Sequence, residues 1–268
     1  MASFTESAEF QEAVQQPVEA IAAKLLERPE KFAITTSVVK AVAEEATTRN
    51  IVADAWDCVG GCAGTVTGWF GGNRRAVAIA GSAENTIYES SSKNAAQLAR
   101  DTFRNIGYPS SYYYAPSRTR SVMILSQSPA IFSFIGHGNT NGPVLSNGAF
   151  LVDAQVAGGD MPEKIYIEDY DLSNAKLHLY ITCYAAKGAA NISLSARARG
   201  VKCVIGWNSL FHIPDSFIWN ERFMGRLGQG YTIAQARSFA NNYTGYAYPD
   251  RTIDNVLYGD GSQVLKLN

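Results

Sequence analysis

Short apolar runs that alternate with helical stretches beyond residue 74 most constrain what this chain can fold into. Four of these runs are AVAIAG at 76–81, IFSFIG at 131–136, KLHLYIT at 176–182 and VKCVIGW at 201–207. Runs this short and this evenly apolar are typical of parallel strands that are buried on both faces. Segments with helical spacing lie between them and would cover those faces. The pattern predicts an α/β fold with a mainly parallel sheet flanked by helices.

The same periodicity predicts the remaining elements of this domain. Helices are expected over 92–106, 118–127, 189–199, 215–228 and 231–242, and further strands over 111–115, 149–153, 164–169 and 263–267. The strands at 149–153 and 164–169 are short enough to be hairpin arms or edge strands, and the sequence leaves their pairing open.

Residues 1–73 differ in composition and form a separate part of the chain. Apolar residues recur at helical spacing over 6–48, which predicts two helices divided near Pro29. The stretch 59–72 is rich in glycine and carries no charge, and we interpret it as a linker. The chain is thus predicted to contain an N-terminal helical segment with its linker at 1–73 and one α/β domain at 74–268. The helices could be a pro-segment, a module that binds a regulatory protein, or added packing.

Charge and composition exclude several classes of partner. The formal net charge is -1 and the pI is about 6.3, so no global field attracts nucleic acid or an anionic membrane. The sequence shows no signal-peptide pattern and no apolar window of membrane length. The four cysteines lack the spacing of a disulfide framework, and we expect a cytoplasmic protein. Cys58 and Cys62 lack further ligands nearby, so neither a metal nor a cofactor is expected.

Two side chains with chemical potential follow two of the predicted core strands. His137 comes directly after IFSFIG, and Cys183 comes directly after KLHLYIT. The carboxyl ends of the strands carry the ligand site of an α/β sheet, and adjacent strands would bring the two side chains face to face. A cysteine becomes a nucleophile when a base lies nearby, and imidazole suits proton transfer at neutral pH. We therefore predict a catalytic dyad of Cys183 and His137.

A glycine beside the histidine adds a further requirement of acyl transfer. Gly138 lets the backbone approach a substrate closely, so that its N–H and that of Cys183 can stabilise an oxyanion. Cys203 lies within the apolar run VKCVIGW and is interpreted as a core residue without a chemical role.

This arrangement resembles the caspase-like cysteine peptidases of clan CD, which include caspases, metacaspases, gingipains, legumain and the CHAT-domain peptidases. Their signature is a hydrophobic strand that ends in His-Gly and a later strand that ends in Cys. The spacing of 46 between His137 and Cys183 (183 minus 137) is close to the value of about 50 in caspases. The segments GVKCVIGWNSLFHIPD and NVLYGDGSQVLKL are similar to gingipain-like domains, and the resemblance covers residues 74–268.

The resemblance also implies which residues contact a substrate. The loop after the fifth core strand would line the first subsite, which points to Trp207 and Asn208, and the loop after the first strand adds Ser82 and Glu84. If Glu84 faces that pocket, its carboxylate would favour a basic residue at the cleaved position. The caspase Q-A-C-x-G and metacaspase D-x-C patterns are absent around Cys183, so neither family's preference is carried over.

The expected function is that of a cysteine endopeptidase that forms a thioester with its peptide or protein substrate. Arg74 and Arg75 follow the linker and precede the first core strand, a position that suits self-processing of a zymogen. Two alternatives stay open. One is a caspase-fold adaptor or pseudoenzyme that acts by binding proteins, and the other is a transpeptidase in which an amine resolves the thioester.

Overall fold

The computed structural model describes residues 74–82, 86–140, 142–146, 149–152, 164–247 and 253–267. The predicted N-terminal helices and linker at 1–73 lie outside these residues, and so do Cys58, Cys62 and Glu84. The α/β unit that contains the site consists of Arg74–Arg118 and the described residues from Ser128 onward.

The strands of this unit form two sheets. In chain order they are β1 (Ala76–Ala80), β2 (Ser110–Tyr114), β3 (Ile131–Ile135), β4 (Gly138–Asn139), β5 (Gly142–Ser146), β6 (Ala149–Val152), β7 (Lys164–Tyr166), β8 (Leu177–Ile181), β9 (Cys203–Trp207) and β10 (Asn255–Gly259). The central sheet has the order β10-β9-β8-β3-β1-β2, and its neighbours are parallel except for β9 and β10. The second sheet has the order β4-β5-β6-β7.

The described part of the chain contains five α-helices. They are α1 (Thr86–Asn105), α2 (Arg118–Ser126), α3 (Ile192–Ala198), α4 (Ile213–Gly228) and α5 (Ile233–Ala247). Asn191 caps α3, because its side-chain oxygen accepts a hydrogen bond from the N–H of Leu194 at 3.0 Å. None of these helices is both long enough and apolar enough to cross a bilayer.

A hydrophobic core lies between one face of the central sheet and helices α1, α4 and α5. Alternate strand residues point into it, as Leu177, Leu179 and Ile181 of β8 do, and Phe103 of α1 and Phe223 of α4 meet them. Strands β1, β3, β8 and β9 are buried along their whole length, which requires cover on both faces of the sheet. The predicted α/β fold with a mainly parallel sheet flanked by helices is confirmed.

The opposite face of the sheet holds a buried histidine. His178 of β8 is completely buried, and its Nδ1 lies 2.9 Å from the hydroxyl oxygen of Tyr180. Its ring packs against Phe132, with the ring centroids 5.0 Å apart. Burial lowers the pKa of His178 to about 3, so the imidazole is neutral in the folded protein.

The end of the domain differs from the sequence prediction. A strand is predicted over 263–267, but β10 at Asn255–Gly259 completes the sheet, and Val264 forms an isolated bridge with Thr232. β10 is an antiparallel edge strand whose residues are mostly half buried, so it lacks the continuous apolar run of the central strands. The polar stretch after His137 contains β4 and β5, to which the sequence pattern assigns no strand.

Protonation of His178 should make the fold less stable in acid. An unfolded histidine has a pKa near 6.5, so the stability that depends on the neutral imidazole is complete above that pH and declines toward pH 3. From this group alone, the free energy of unfolding should fall by about 2 kcal/mol between about pH 7 and pH 5. His178→Asn keeps a polar atom near the position of Nδ1 but does not titrate. Its free energy of unfolding should therefore fall by about 2 kcal/mol less than the parent's over the same pH range.

Urea denaturation of both proteins at a series of pH values measures this difference. Tyr180→Phe removes the hydrogen-bond partner but leaves the buried imidazole, and it serves as the control that keeps the pH dependence. A His178→Asn protein whose stability falls with pH as steeply as the parent's would contradict the prediction.

Candidate active site

Register in the central sheet brings His137 and Cys183 to the same level. Ile135 of β3 pairs with Ile181 of β8 in the parallel ladder. His137 and Cys183 each follow that pair by two residues, so they leave the carboxyl ends of adjacent strands at matching positions. Adjacent strands are about 4.8 Å apart in the hydrogen-bonding direction. The sheet therefore places the two predicted reactive residues side by side.

Hydrogen bonds beyond the strand ends fix the backbone at His137. The N–H of Gly136 donates to the carbonyl of Ile181 at 3.2 Å, which extends the ladder between β3 and β8. The carbonyl of His137 accepts a hydrogen bond from the N–H of Val144 at 2.9 Å. The segment is therefore held by the central sheet on one side and by β5 on the other.

Glycine is needed at position 138 because the chain passes closely over the residues that adjoin the cysteine. A Cβ at Gly138 would overlap the hydroxyl oxygen of Thr182 and would lie 3.2 Å from the carbonyl oxygen of Cys183. Gly138 faces Pro143 of β5 as a pair without mutual hydrogen bonds, so its N–H points away from β5. That N–H is left unused by the hairpin.

Cys183 begins a tight turn and has a half-buried side chain. Its Sγ lies 3.4 Å from the backbone nitrogen of Phe211 and 3.8 Å from the carbonyl oxygen of the same residue. Tyr184 adopts the left-handed conformation, with a φ of 61°, which costs a residue with a side chain about 1–2 kcal/mol. The N–H of Tyr184 donates to the carbonyl of Ser209 at 3.2 Å, and this bond ties the turn to the loop after β9.

His137 is exposed, and its imidazole meets an aromatic ring from α1. Tyr88, in the first turn of that helix, contacts it edge to face, with ring centroids 6.3 Å apart and planes at 73°. Such a contact restricts the orientation of the imidazole without burying it. Tyr88 is itself 40% exposed, so both rings lie at the surface.

The loop after β1 reaches the same edge of the sheet. Ala80 pairs with Ile135, and Ser82 follows Ala80 by two residues, so Ser82 belongs to the row of His137 and Cys183. Its N–H is engaged with the carbonyl of Leu145 at 2.9 Å. The structure thus brings Ser82 close to His137, and its role in substrate binding stays a prediction.

The predicted binding residues at the end of β9 differ in exposure. The indole of Trp207 is fully buried, so its side chain forms no part of the exposed surface. Asn208 is half buried, and its N–H donates to the carbonyl of Asp254 at 2.9 Å. The binding roles of both residues stay predictions. Arg74 is exposed and Arg75 is half buried, directly before β1.

The two cysteines in the described ranges have contrasting surroundings. Cys203 is fully buried in β9, as its apolar run predicts, and burial raises the pKa of its thiol to about 12. Cys183 instead lies at the edge of the sheet with its side chain partly accessible. Across the same ranges, no group of three or more His, Cys, Asp and Glu side chains could hold a metal ion.

Four residues near His137 or Cys183 are not predicted from the sequence: Tyr88, Thr182, Tyr184 and Phe211. Thr182 and Tyr184 could have been found from their adjacency to Cys183, although nothing in the sequence marks the left-handed turn. Tyr88 lies before the residue at which the pattern starts α1. Phe211 is 28 residues from Cys183, and only the fold brings the two together.

No protein-family model matches the chain, and no curated protein matches it by sequence. Among solved structures, the complex of Porphyromonas gingivalis RgpB pro- and mature domains is similar, with a TM-score of 0.53 and 13% identity over 71% of this chain and 47% of that chain. The Arg specific cysteine proteinase gingipain R (RGPB) gives a TM-score of 0.49 and 12% identity, over 71% of this chain and 46% of that chain. The chain thus spans about half the length of these neighbours. The likeness to RgpB concerns the fold alone.

Gly138→Ala should destabilise the protein by about 1–3 kcal/mol, because the added methyl group overlaps Thr182 Oγ1. That hydroxyl is buried and forms no hydrogen bond with the described residues. Thr182→Ala removes the opposing atom, so the Gly138→Ala, Thr182→Ala double variant should recover about half or more of the lost stability.

Urea denaturation of the four proteins in this double-mutant cycle measures the coupling. Gly225→Ala is the matched control, since a Cβ at this exposed position of α4 meets nothing within 4 Å. That control should be neutral or slightly stabilising. Strictly additive effects of Gly138→Ala and Thr182→Ala would refute the close approach of the two segments.

Proposed function

We propose that this protein is a cysteine endopeptidase in which Cys183 is the nucleophile and His137 transfers the protons. The observation that carries the proposal is the shared register of the two residues beyond the pair Ile135 and Ile181. The close approach of Gly138 to the Cys183 backbone supports it, because the two segments lie against each other there. The substrate is a peptide or a protein.

The first half of the reaction transfers an acyl group to the sulfur. His137 removes the thiol proton, and Cys183 Sγ attacks the carbonyl carbon of the scissile bond as the carbonyl π electrons move to oxygen. The tetrahedral intermediate then collapses, the C–N bond breaks, and His137 delivers the proton to the leaving amine nitrogen. A thioester remains on Cys183.

Two backbone N–H groups are the proposed donors to the oxyanion. The N–H of Gly138 is not used in the pairing of β4 with β5. The N–H of Cys183 has no hydrogen-bond partner within the described ranges. Donors held by the backbone stabilise the oxyanion without reorganisation during the reaction.

Hydrolysis of the thioester completes the cycle. A water molecule attacks the thioester carbonyl carbon while His137 accepts its proton. The C–S bond then breaks and His137 returns the proton to the leaving sulfur, which gives a carboxylic acid and the free thiol. We propose water rather than an amine as the acceptor, because the imidazole lies exposed at the edge of the sheet.

Fold likeness supports the assignment to the cysteine peptidases, since the neighbour gingipain R is named a cysteine proteinase. One of the neighbouring structures is a complex of pro- and mature domains. We propose by analogy that residues 1–73 are a pro-segment or regulatory segment of this chain, which separates at the basic pair Arg74 and Arg75.

The backbone around the basic pair indicates which bond is accessible. The carbonyl of Arg75 accepts a hydrogen bond from the N–H of Ile131 at 3.3 Å, so Arg75 already belongs to the ladder of the central sheet. Arg74 precedes the ladder and is exposed. A peptidase needs an accessible, extended segment, so we propose cleavage after Arg74.

Acyloxymethyl ketone probes test the nucleophile and the subsite preference together. Of the arginyl, aspartyl, asparaginyl and leucyl probes, at least one should label the parent protein covalently at Cys183, as located by peptide mapping. Cys183→Ala should abolish the labelling. His137→Ala should slow peptide hydrolysis by about 100-fold to 10,000-fold, the usual contribution of a general acid and base.

Cys203→Ala is the matched control, because it removes the buried thiol and leaves the site intact. Its labelling rate should stay within about twofold of the parent rate. Labelling that persists in Cys183→Ala would refute the assignment of the nucleophile. Failure of every probe to label the parent protein would favour an adaptor that acts by protein binding.

Self-processing predicts a change of the N-terminus on storage. The parent chain should yield a fragment that begins at Arg75, whereas Cys183→Ala should remain intact. Arg74→Gln with Arg75 unchanged should stay uncut or be cut far more slowly. Gel electrophoresis with N-terminal sequencing measures this, and a parent chain that stays active and uncut, with the same band as Cys183→Ala, would refute self-processing.

A further inference from the structure

The loop between β9 and α4 brings a backbone N–H group to the sulfur of Cys183. Phe211 lies in this loop, and its nitrogen is 3.4 Å from Sγ. Its carbonyl oxygen lies at 3.8 Å from the same atom. A single residue of a distant segment therefore presents both a donor and an acceptor to the reactive sulfur.

The donor dominates once the sulfur carries a negative charge. The amide hydrogen lies about 1 Å closer to the acceptor than the nitrogen does, so the positive end of this dipole is the nearest part of Phe211 to Sγ. The carbonyl oxygen is the more distant of the two groups. Hydrogen bonds to an ionised acceptor are about twice as strong as those between neutral groups. The contact therefore favours the thiolate over the thiol.

An aromatic column holds Phe211 in place. Its ring stacks on Trp207, with centroids 4.5 Å apart and planes at 17°. Trp207 meets the edge of Trp219 at 4.8 Å, and Trp219 stacks on Phe223 at 4.8 Å. We call Phe211, Trp207, Trp219 and Phe223 the aromatic column. It runs from the sulfur into the core beside α4, and such pairs are worth more than their buried area alone.

The loop has fixed points on both sides of Phe211. The N–H of Asn208 donates to Asp254 at 2.9 Å, and the Ser209 carbonyl accepts from Tyr184 at 3.2 Å. On the far side, the carbonyl of His212 accepts a hydrogen bond from the N–H of Ser216 at 2.9 Å. Between these points Leu210 is 62% exposed while Phe211 is 9% exposed, so the column selects Phe211 as the inward residue.

We propose that Phe211 is a positioning residue of the active site, which stabilises the Cys183 thiolate through its backbone N–H and is held there by the aromatic column. The proposal rests on the proposed function, in which Cys183 is the nucleophile. It assigns to the loop after β9 a role on the sulfur itself, separate from any contact with a substrate. It also gives the buried indole of Trp207 a function, as the platform on which Phe211 stacks.

Substitution of Phe211 by proline tests the donor directly, because proline has no N–H. The measurement is the rate at which iodoacetamide alkylates Cys183 in the full chain, followed by mass spectrometry of the peptide that contains it. At about pH 6.5, Phe211→Pro should react about tenfold more slowly than the parent. At about pH 9.5 the two rates should agree within about twofold, because that pH is above the ordinary pKa of a free cysteine, about 8.5.

Two further variants separate the donor from the shape of the loop. Leu210→Pro places the proline one residue earlier, at an exposed position whose N–H does not donate to the sulfur. Its alkylation rates should match those of the parent within about twofold. Phe211→Leu keeps the N–H but loses the stacking on Trp207, and it should react about threefold more slowly at the lower pH. Circular dichroism verifies that each variant is folded.

Three results would overturn the proposal. Phe211→Pro could react as fast as the parent or faster at the lower pH, which would mean that the loop shields the sulfur. Leu210→Pro could lose as much reactivity as Phe211→Pro, which would assign the effect to a distorted loop. If Phe211→Pro does not fold, an unchanged rate in Phe211→Leu decides against the proposal. Alkylation measures the reactivity of the Cys183 sulfur and does not depend on peptide cleavage. A Cys183→Ala protein that still cleaves peptides would therefore refute the proposed function and leave the alkylation result unaffected.

Discussion

The parallel register of β1, β3 and β8 is the constraint on which the site depends. The row formed by Ala80, Ile135 and Ile181 sets the level from which three loops depart. Side chains alternate between the two faces of a sheet, so a slip of one residue in β3 or β8 would turn the side chain of His137 or Cys183 away from the other. Burial of both faces prevents such a slip, because it would exchange the core residues of β8 with His178 and Tyr180. The same strand register therefore determines both the packing of the core and the geometry of the site.

A partly buried polar network supports the other side of the site. Trp219 Nε1 donates to Asn241 of α5 at 2.6 Å, and Asn255 of β10 donates to the same oxygen at 2.8 Å. Arg237 donates to the carbonyl and the side-chain oxygen of Asn255 at 2.5 and 2.6 Å. These bonds join the edge strand and the last helix to the aromatic column. Buried polar groups with partners of this kind specify one arrangement, so the end of the chain helps to position the loop that carries Phe211.

The sequence predicts the centre of this fold well and its periphery poorly. Fully buried strands such as IFSFI and LHLYI are easy to find, because burial on both faces leaves a continuous apolar run. The edge strand β10 gives no such run, and the terminal strand is predicted in the wrong place for that reason. His137 and Cys183 stand out in the sequence because they follow core strands. Phe211 and Tyr88 do not, because their contacts depend on the path of a loop and the start of a helix.

Side-chain chemistry also explains what the sequence leaves unassigned within the site. Trp207 is expected at a subsite, yet its indole is enclosed between Phe211 and Trp219. Of the two residues expected at the end of β9, only Asn208 is partly exposed. A large aromatic residue at the end of a strand has the same appearance in a sequence whether it faces a ligand or supports a loop. Burial, which depends on the whole fold, distinguishes the two.

The segment that forms the second sheet, β4 to β7, affects how relatives of this protein are recognised. All of β4 to β7 lies between two strands that are adjacent in space, and it leaves and rejoins the central sheet at fixed points. Insertions within that segment would lengthen the chain between His137 and Cys183 without moving either residue. The number of residues between His137 and Cys183 can therefore change during evolution. The position of each, two residues beyond the pair Ile135 and Ile181, cannot change without separating them. Distant relatives would share this structural alignment even where no stretch of sequence remains similar.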